Sequence, residues 1–200
     1  MLGIANSWTV FYAAAPVFLC LLSPAPALLA QDTTPPVLSV PFHTLEEMSE
    51  FLPYGQQIPG KPYKNVTYEI GFRSDRGSYP PEKYPLKAVC AGVVTAVWRQ
   101  PQTKDYEIWT QPTVNSIYAV MYDHVVKPKV RKGDQFQAGA LLGYLGNELQ
   151  INRTDPTTHK VVGVCPRDLG TPSFNRVFDD LLAISGFKDS AVCLAIDVIP

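Results

Sequence analysis

The side chains able to do chemistry are few in this chain and form no dense motif. There are three histidines, His43, His124 and His159. Asp75, His124 and Glu148 make up a mixed histidine and carboxylate set of the kind that can hold zinc and acidify its water. Nothing in their spacing demands that use, and His124 reads equally as a hydrogen-bonded strand histidine. Alternation along 146–152 puts Leu149 and Ile151 on a core face and turns Gly146, Glu148, Gln150 and Asn152 the other way. His43 stands just before a helix start and His159 in a loop after Pro156-Thr157-Thr158; both read as structural. No Gly-x-Ser-x-Gly nucleophile elbow occurs. Cys90 lies in an apolar run, where thiols are buried and inert. Trp98, Trp109, Tyr118 and Tyr122 could offer stacking surfaces, although aromatic residues in strands more often fill cores.

These residues must be positioned mainly by strands. Residues 66–72 mix β-branched and aromatic side chains, 86–98 form a long β-prone run bent at Ala91-Gly92, and 115–125 follow. A charged turn at 127–134 leads to an apolar run at 140–145 and the alternating strand at 148–152. Thr171-Pro172-Ser173 has the residue types of a helix start, and Phe174, Val177, Phe178, Leu181 and Leu182 recur at helical spacing, giving a helix that stops near Gly186. Residues 191–199 read as a last apolar strand. Upstream, 31–64 are rich in proline and read as an arm laid against the domain. Within it Thr44-Leu45-Glu46-Glu47 is a capping box that predicts a helix reaching about Leu52. The expected fold is mostly β, a β-rich α+β antiparallel sheet or sandwich over 65–200 with one C-terminal helix, preceded by the short N-terminal helix of the arm.

No charged side chain occurs before Asp32, and the apolar run at 8–22 is broken by Ser23-Pro24-Ala25-Pro26-Ala27. That layout predicts a signal peptide over 1–30 and an exported, periplasmic or extracellular chain. An uncleaved anchor and a lipid-bearing Cys20 are the other readings of the same segment, and all three imply export. The formal net charge of −1 gives no field favouring nucleic acid, and the mature form is not expected to span a membrane. Lys127, Lys129, Arg131 and Lys132 read as a solvated loop. Outside the leader the cysteines are Cys90, Cys165 and Cys193. A helix and its return bring Cys165 and Cys193 together as a disulfide, leaving Cys90 a thiol.

Three ordered segments carry a resemblance. The first is Tyr84-Pro85-Leu86-Lys87-Ala88-Val89-Cys90-Ala91-Gly92-Val93-Val94, the second Ile117-Tyr118-Ala119-Val120-Met121-Tyr122-Asp123-His124-Val125. The third runs from Val130-Arg131-Lys132-Gly133-Asp134 through Gly139 to Leu142-Gly143-Tyr144-Leu145-Gly146. Together they are similar to the lysostaphin-type (LytM-like) peptidoglycan endopeptidases, zinc enzymes with a duplicated hybrid motif fold. The resemblance implies a zinc held by a His, an Asp four residues later, and the second His of a late His-x-His pair. Counting back from Tyr84-Pro85 sets Arg73 and Gly77 at the first two of these positions. Glu148, paired with Gln150 in one register and with Gly146 in the other, falls on the late pair. His124 matches a His that assists the transition state without binding metal. The expectation is a degenerate relative without a cofactor that binds peptidoglycan or a cell-envelope protein. Its groove would be lined by Arg73, Asp75, Gln150 and Tyr122, with His124 and Glu148 as the residues nearest to chemistry. The rival expectation is an active zinc peptidase with relocated ligands.

Overall fold

The computed structural model describes residues 30–58, 60–73, 80–185 and 191–194. Residues 1–29 of the predicted leader, and Asp75 and Gly77, lie outside them. Among the described residues no helix is long and apolar enough to cross a membrane.

Among the described residues nine strands make one antiparallel sheet: β1 Met48–Leu52, β2 Tyr68–Phe72, β3 Pro85–Lys87, β4 Gly92–Arg99, β5 Tyr106–Gln111, β6 Tyr118–Val126, β7 Gln135–Phe136, β8 Leu141–Thr154 and β9 Val161–Val164. The main order is β1-β2-β8-β6-β5-β4-β7, and β3 and β9 also pair with β8. An α-helix, α1, spans Pro172–Ile184, with the Thr171 hydroxyl accepting from the Phe174 amide at its start.

Alternation builds the core. Tyr68 and Ile70 on β2, Ile108 on β5, Val120 and Tyr122 on β6, and Leu149 and Ile151 on β8 are buried. Phe174, Phe178, Leu181 and Leu182 on α1 join the same core. The Phe178 ring lies 4.8 Å from Tyr68 and 5.7 Å from both Phe51 and Phe42. Burying such a side chain contributes about 1.5–3 kcal/mol.

Several expectations need correction. The capping box closes, with the Thr44 amide donating to Glu47 Oε2 at 2.8 Å. It caps only one 3-10 turn, Leu45–Glu47, because Met48 and Phe51 reach the core by pairing as β1 with β2. Tertiary pairing overrides the local helix signal. The arm is therefore part of the sheet and core, and Leu38 and Phe42 are fully buried. The run at 86–98 divides into β3 and β4 where Ala91-Gly92 was expected to bend it. A Cβ on Gly92 would meet the Gln111 carbonyl oxygen at 2.5 Å. The two runs at 140–152 are one strand, β8. Strands β5, β7 and β9 were not anticipated. Of the expected last strand over 191–199, residues 195–199 lie outside the described residues, and 191–194 contribute a bridge between Cys193 and Tyr54. The helix ends at Ile184, close to where it was expected.

The structure joins Cys165 to Cys193, with Cα atoms 6.0 Å apart. Cys90 is a buried free thiol whose pKa burial raises to about 11, which keeps it protonated and inert.

Candidate functional site

Two irregularities in the central strands assemble the site. From Tyr106 to Ile108 β5 advances two residues while β6 moves from Val125 to Tyr122, three. The extra residue makes Asp123-His124 a bulge opposite Glu107, with His124 at φ 58°. Both successive side chains therefore face away from the core, while Tyr122 and Val125 on either side remain buried. Against β8, Asp123 pairs with Glu148 but Val125 pairs with Leu145, so Gly146 and Asn147 together oppose His124. Glu69 on β2 in turn lies directly opposite Glu148. A row of polar side chains thus crosses the sheet from Glu69 through Glu148, Asp123 and His124 to Glu107, and ends at Trp98, the register partner of Glu107 on β4.

His124 is the cation of this row. Its Nδ1 donates to Asp105 Oδ2 at 2.7 Å, and its Nε2 stands 3.5 Å from Glu148 Oε1. Asp105 arrives on the turn between β4 and β5, which Gln100 and Asp105 close by backbone bonding at 2.9 Å. Glu148 is the foremost cause of a His124 pKa raised to about 10; burial opposes it, and Asp105 and Asp123 add to it. The imidazole is consequently protonated at neutral pH. Burial, and then Glu148, push the Glu69 carboxyl upward, and burial does the same to Asp123. Gln100 Nε2 ties the row together by donating to Glu107 Oε1 at 3.0 Å and to Asp123 Oδ1 at 2.5 Å. Trp109 Nε1 donates to Glu107 Oε2 at 2.9 Å, so the indole lies against the row while Trp98 beside it is 63% exposed.

Of the site residues expected from sequence, His124 and Glu148 are brought together. Gln150 shares their face two residues along β8 and donates to Asn152 Oδ1 at 2.8 Å. Arg73 is elsewhere. It follows β2 by one residue, about 13 Å along the strand direction from Glu69, and its Nε donates to the Met48 carbonyl at 2.6 Å. Tyr122 lines no groove: it is fully buried, and its hydroxyl accepts from the Val89 amide at 2.9 Å. Tyr118 is buried as well. Sequence reading missed Glu69, Gln100, Asp105, Glu107 and Asp123. The signal available for Glu69 was its place between core-bound Tyr68 and Ile70, which turns it to the opposite face.

No family model matches the chain, and no curated protein matches it. Solved structures do. The catalytic domain of the prophage-encoded M23 protein EnpA from Enterococcus faecalis matches 60% of this chain and 91% of its own, at 16% identity and TM-score 0.43. Lysostaphin, the antimicrobial peptidase from Staphylococcus simulans, matches 80% of this chain at 14% identity and TM-score 0.47, and this chain spans 61% of its length. LytU matches 62% of this chain and 83% of its own, at 20% identity and TM-score 0.43. The chain resembles the lysostaphin-type peptidases.

The zinc that a lysostaphin-type resemblance implies does not fit the described residues. Arg73 offers a permanent cation already bonded to Met48. Glu148 faces a protonated imidazole, Gln150 is engaged with Asn152, and both nitrogens of His124 confront carboxylates. A histidine ligates metal through a neutral ring nitrogen, so His124 would first have to give up a proton that the carboxylates around it favour. Among the described residues no group of three or more His, Cys, Asp or Glu is arranged to hold a metal ion.

Proposed function

We propose that this chain is an exported, non-catalytic relative of the peptidoglycan metallo-endopeptidases that binds cell-wall material through the face carrying His124. One observation carries the reading: both nitrogens of His124 are committed to carboxylates, Asp105 at 2.7 Å and Glu148 at 3.5 Å. A doubly protonated imidazole cannot accept a proton from water, so His124 has no general base to offer. The same face retains what recognition needs. Trp98 is exposed for stacking, and the acidic row beside it complements the amines and amides of peptide crosslinks. Like charges directly opposite on neighbouring strands, as in Glu69 and Glu148, cost stability, and a binding role gives a reason for their presence.

The test is sedimentation of the purified protein with insoluble peptidoglycan, together with metal analysis and a hydrolysis assay in added zinc. The expected result is binding without hydrolysis, weakened at least about fivefold, roughly 1 kcal/mol, by Trp98→Ala. Near-stoichiometric zinc with hydrolysis abolished by Glu148→Ala would establish the relocated-ligand peptidase instead. Failure to sediment would remove cell-wall binding and leave regulation of an envelope protein as the role to examine.

A further inference from the structure

His43 is 1% exposed, and its ring sits edge-on to Phe42 at 5.4 Å and Phe72 at 4.9 Å. A polar ring this deep in an apolar cluster is costly unless its nitrogens are bonded. Its Nε2 donates to the carbonyl oxygens of Leu145 at 2.9 Å and Gly146 at 3.1 Å. Nδ1 lies 3.6 Å from Glu47 Oε2, the carboxylate that also closes the capping box.

The two carbonyls belong to the residues of β8 with positive φ, Leu145 at 55° and Gly146 at 80°. Leu145 is not glycine, and a left-handed conformation there persists only where the surroundings enforce it. The need for this bulge follows from the other one. After Asp123-His124, β6 has exchanged faces, so Val125 is core-facing. Register pairs Val125 with Leu145 while Glu148 stays opposite Asp123, and a Cβ on Gly146 would meet the side chains of Leu86 at 2.9 Å and Val125 at 3.3 Å, so the bulge turns a position that only glycine fits toward the core. A slip of one residue would turn Glu148 away from His124.

We propose that His43 is a positioning residue for this site: by bonding the Leu145 and Gly146 carbonyls it holds the β8 bulge that sets Glu148 against His124. The proposal rests on the binding reading only for the use to which the site is put. The clamp places the arm of the chain, distant in sequence, in control of the register at the centre of the sheet.

The measurement is the coupling between His124→Ala and Glu148→Gln, read as non-additive shifts of the urea midpoint in the full chain. It is made in three backgrounds: wild type, His43→Gln and His43→Ala. Gln keeps a donor of similar reach, so coupling should persist in that background and vanish in His43→Ala. Leu181→Ala, a core change remote from the bulge, should lower the midpoint without altering the coupling. Should His43→Ala fail to fold, His43→Asn, whose donor falls short of the carbonyls, should show reduced coupling. Unchanged coupling in His43→Ala or His43→Asn would overturn the proposal, as would equal loss in Leu181→Ala. The readout contains no ligand, so a chain that fails to bind peptidoglycan yet loses coupling in His43→Ala would refute the binding reading and leave the positioning role standing.

Discussion

At the scale of single residues, protonation of His124 governs the site. Its pKa rises from 6.5 to about 10 on folding, so the folded state binds this proton more tightly than the unfolded chain. The stabilisation is complete below about pH 6.5 and is lost as pH climbs toward 10. Urea unfolding followed across that window should show wild type losing stability with rising pH, and His124→Gln losing less. Nitrogen NMR of the ring should find both nitrogens protonated at pH 7.5. A wild-type stability that rises between pH 6.5 and 10 relative to His124→Gln would contradict the ion-pair account. The residue types were partly legible in sequence, since strand alternation alone put Glu148 opposite in sense to Leu149. Asp105 was not, because it reaches His124 from a turn whose closure depends on how β4 and β5 pair.

At the scale of elements, the breaks in regular structure are as consequential as the strands. Gly92 opens β4 where a Cβ would strike backbone, the Gln111 carbonyl oxygen at 2.5 Å, which cannot rotate aside. Gly92→Ala should therefore destabilise the fold by about 2 kcal/mol or more, measured by urea denaturation. A loss below about 0.5 kcal/mol would mean that β4 and β5 can part at that end without consequence. Ala91-Gly92 was visible as a break because glycine in a β-prone run is a local signal. The bulge at His124 had no such signal, because it arises from matching the core face of β6 to β5 and β8 at once. Gly146-Asn147 was visible as a gap between two runs, but the pairing with β6 that makes it a bulge within one strand was not. The capping box at Thr44 misled for the same reason: its local chemistry is satisfied in one turn, after which the burial of Met48 and Phe51 decides the conformation.

At the scale of the whole molecule, the two ends of the fold hold one another. Cys193 is bonded to Cys165 across a separation of 28 residues, and the Leu194 amide donates to the Tyr54 carbonyl at 2.8 Å. In the chain-entropy account a loop of that size is worth about 3–4 kcal/mol. Reduction should lower the unfolding free energy by that amount, and a non-reducing peptide map should link Cys165 with Cys193 while Cys90 stays alkylatable only after unfolding. A map joining Cys90 to either partner would require a different core. The arm has a further consequence, one of timing. Leu38 hydrogen-bonds with Leu169 and Thr171, and Phe42 stacks on Phe178. A ribosome or translocation pore delivers Leu38 and Phe42 on the order of a hundred residues before their partners, and contacts of such long range form late. The sheet therefore cannot close around its own beginning until nearly all of it has emerged, so this chain stays open through most of its delivery and shuts once.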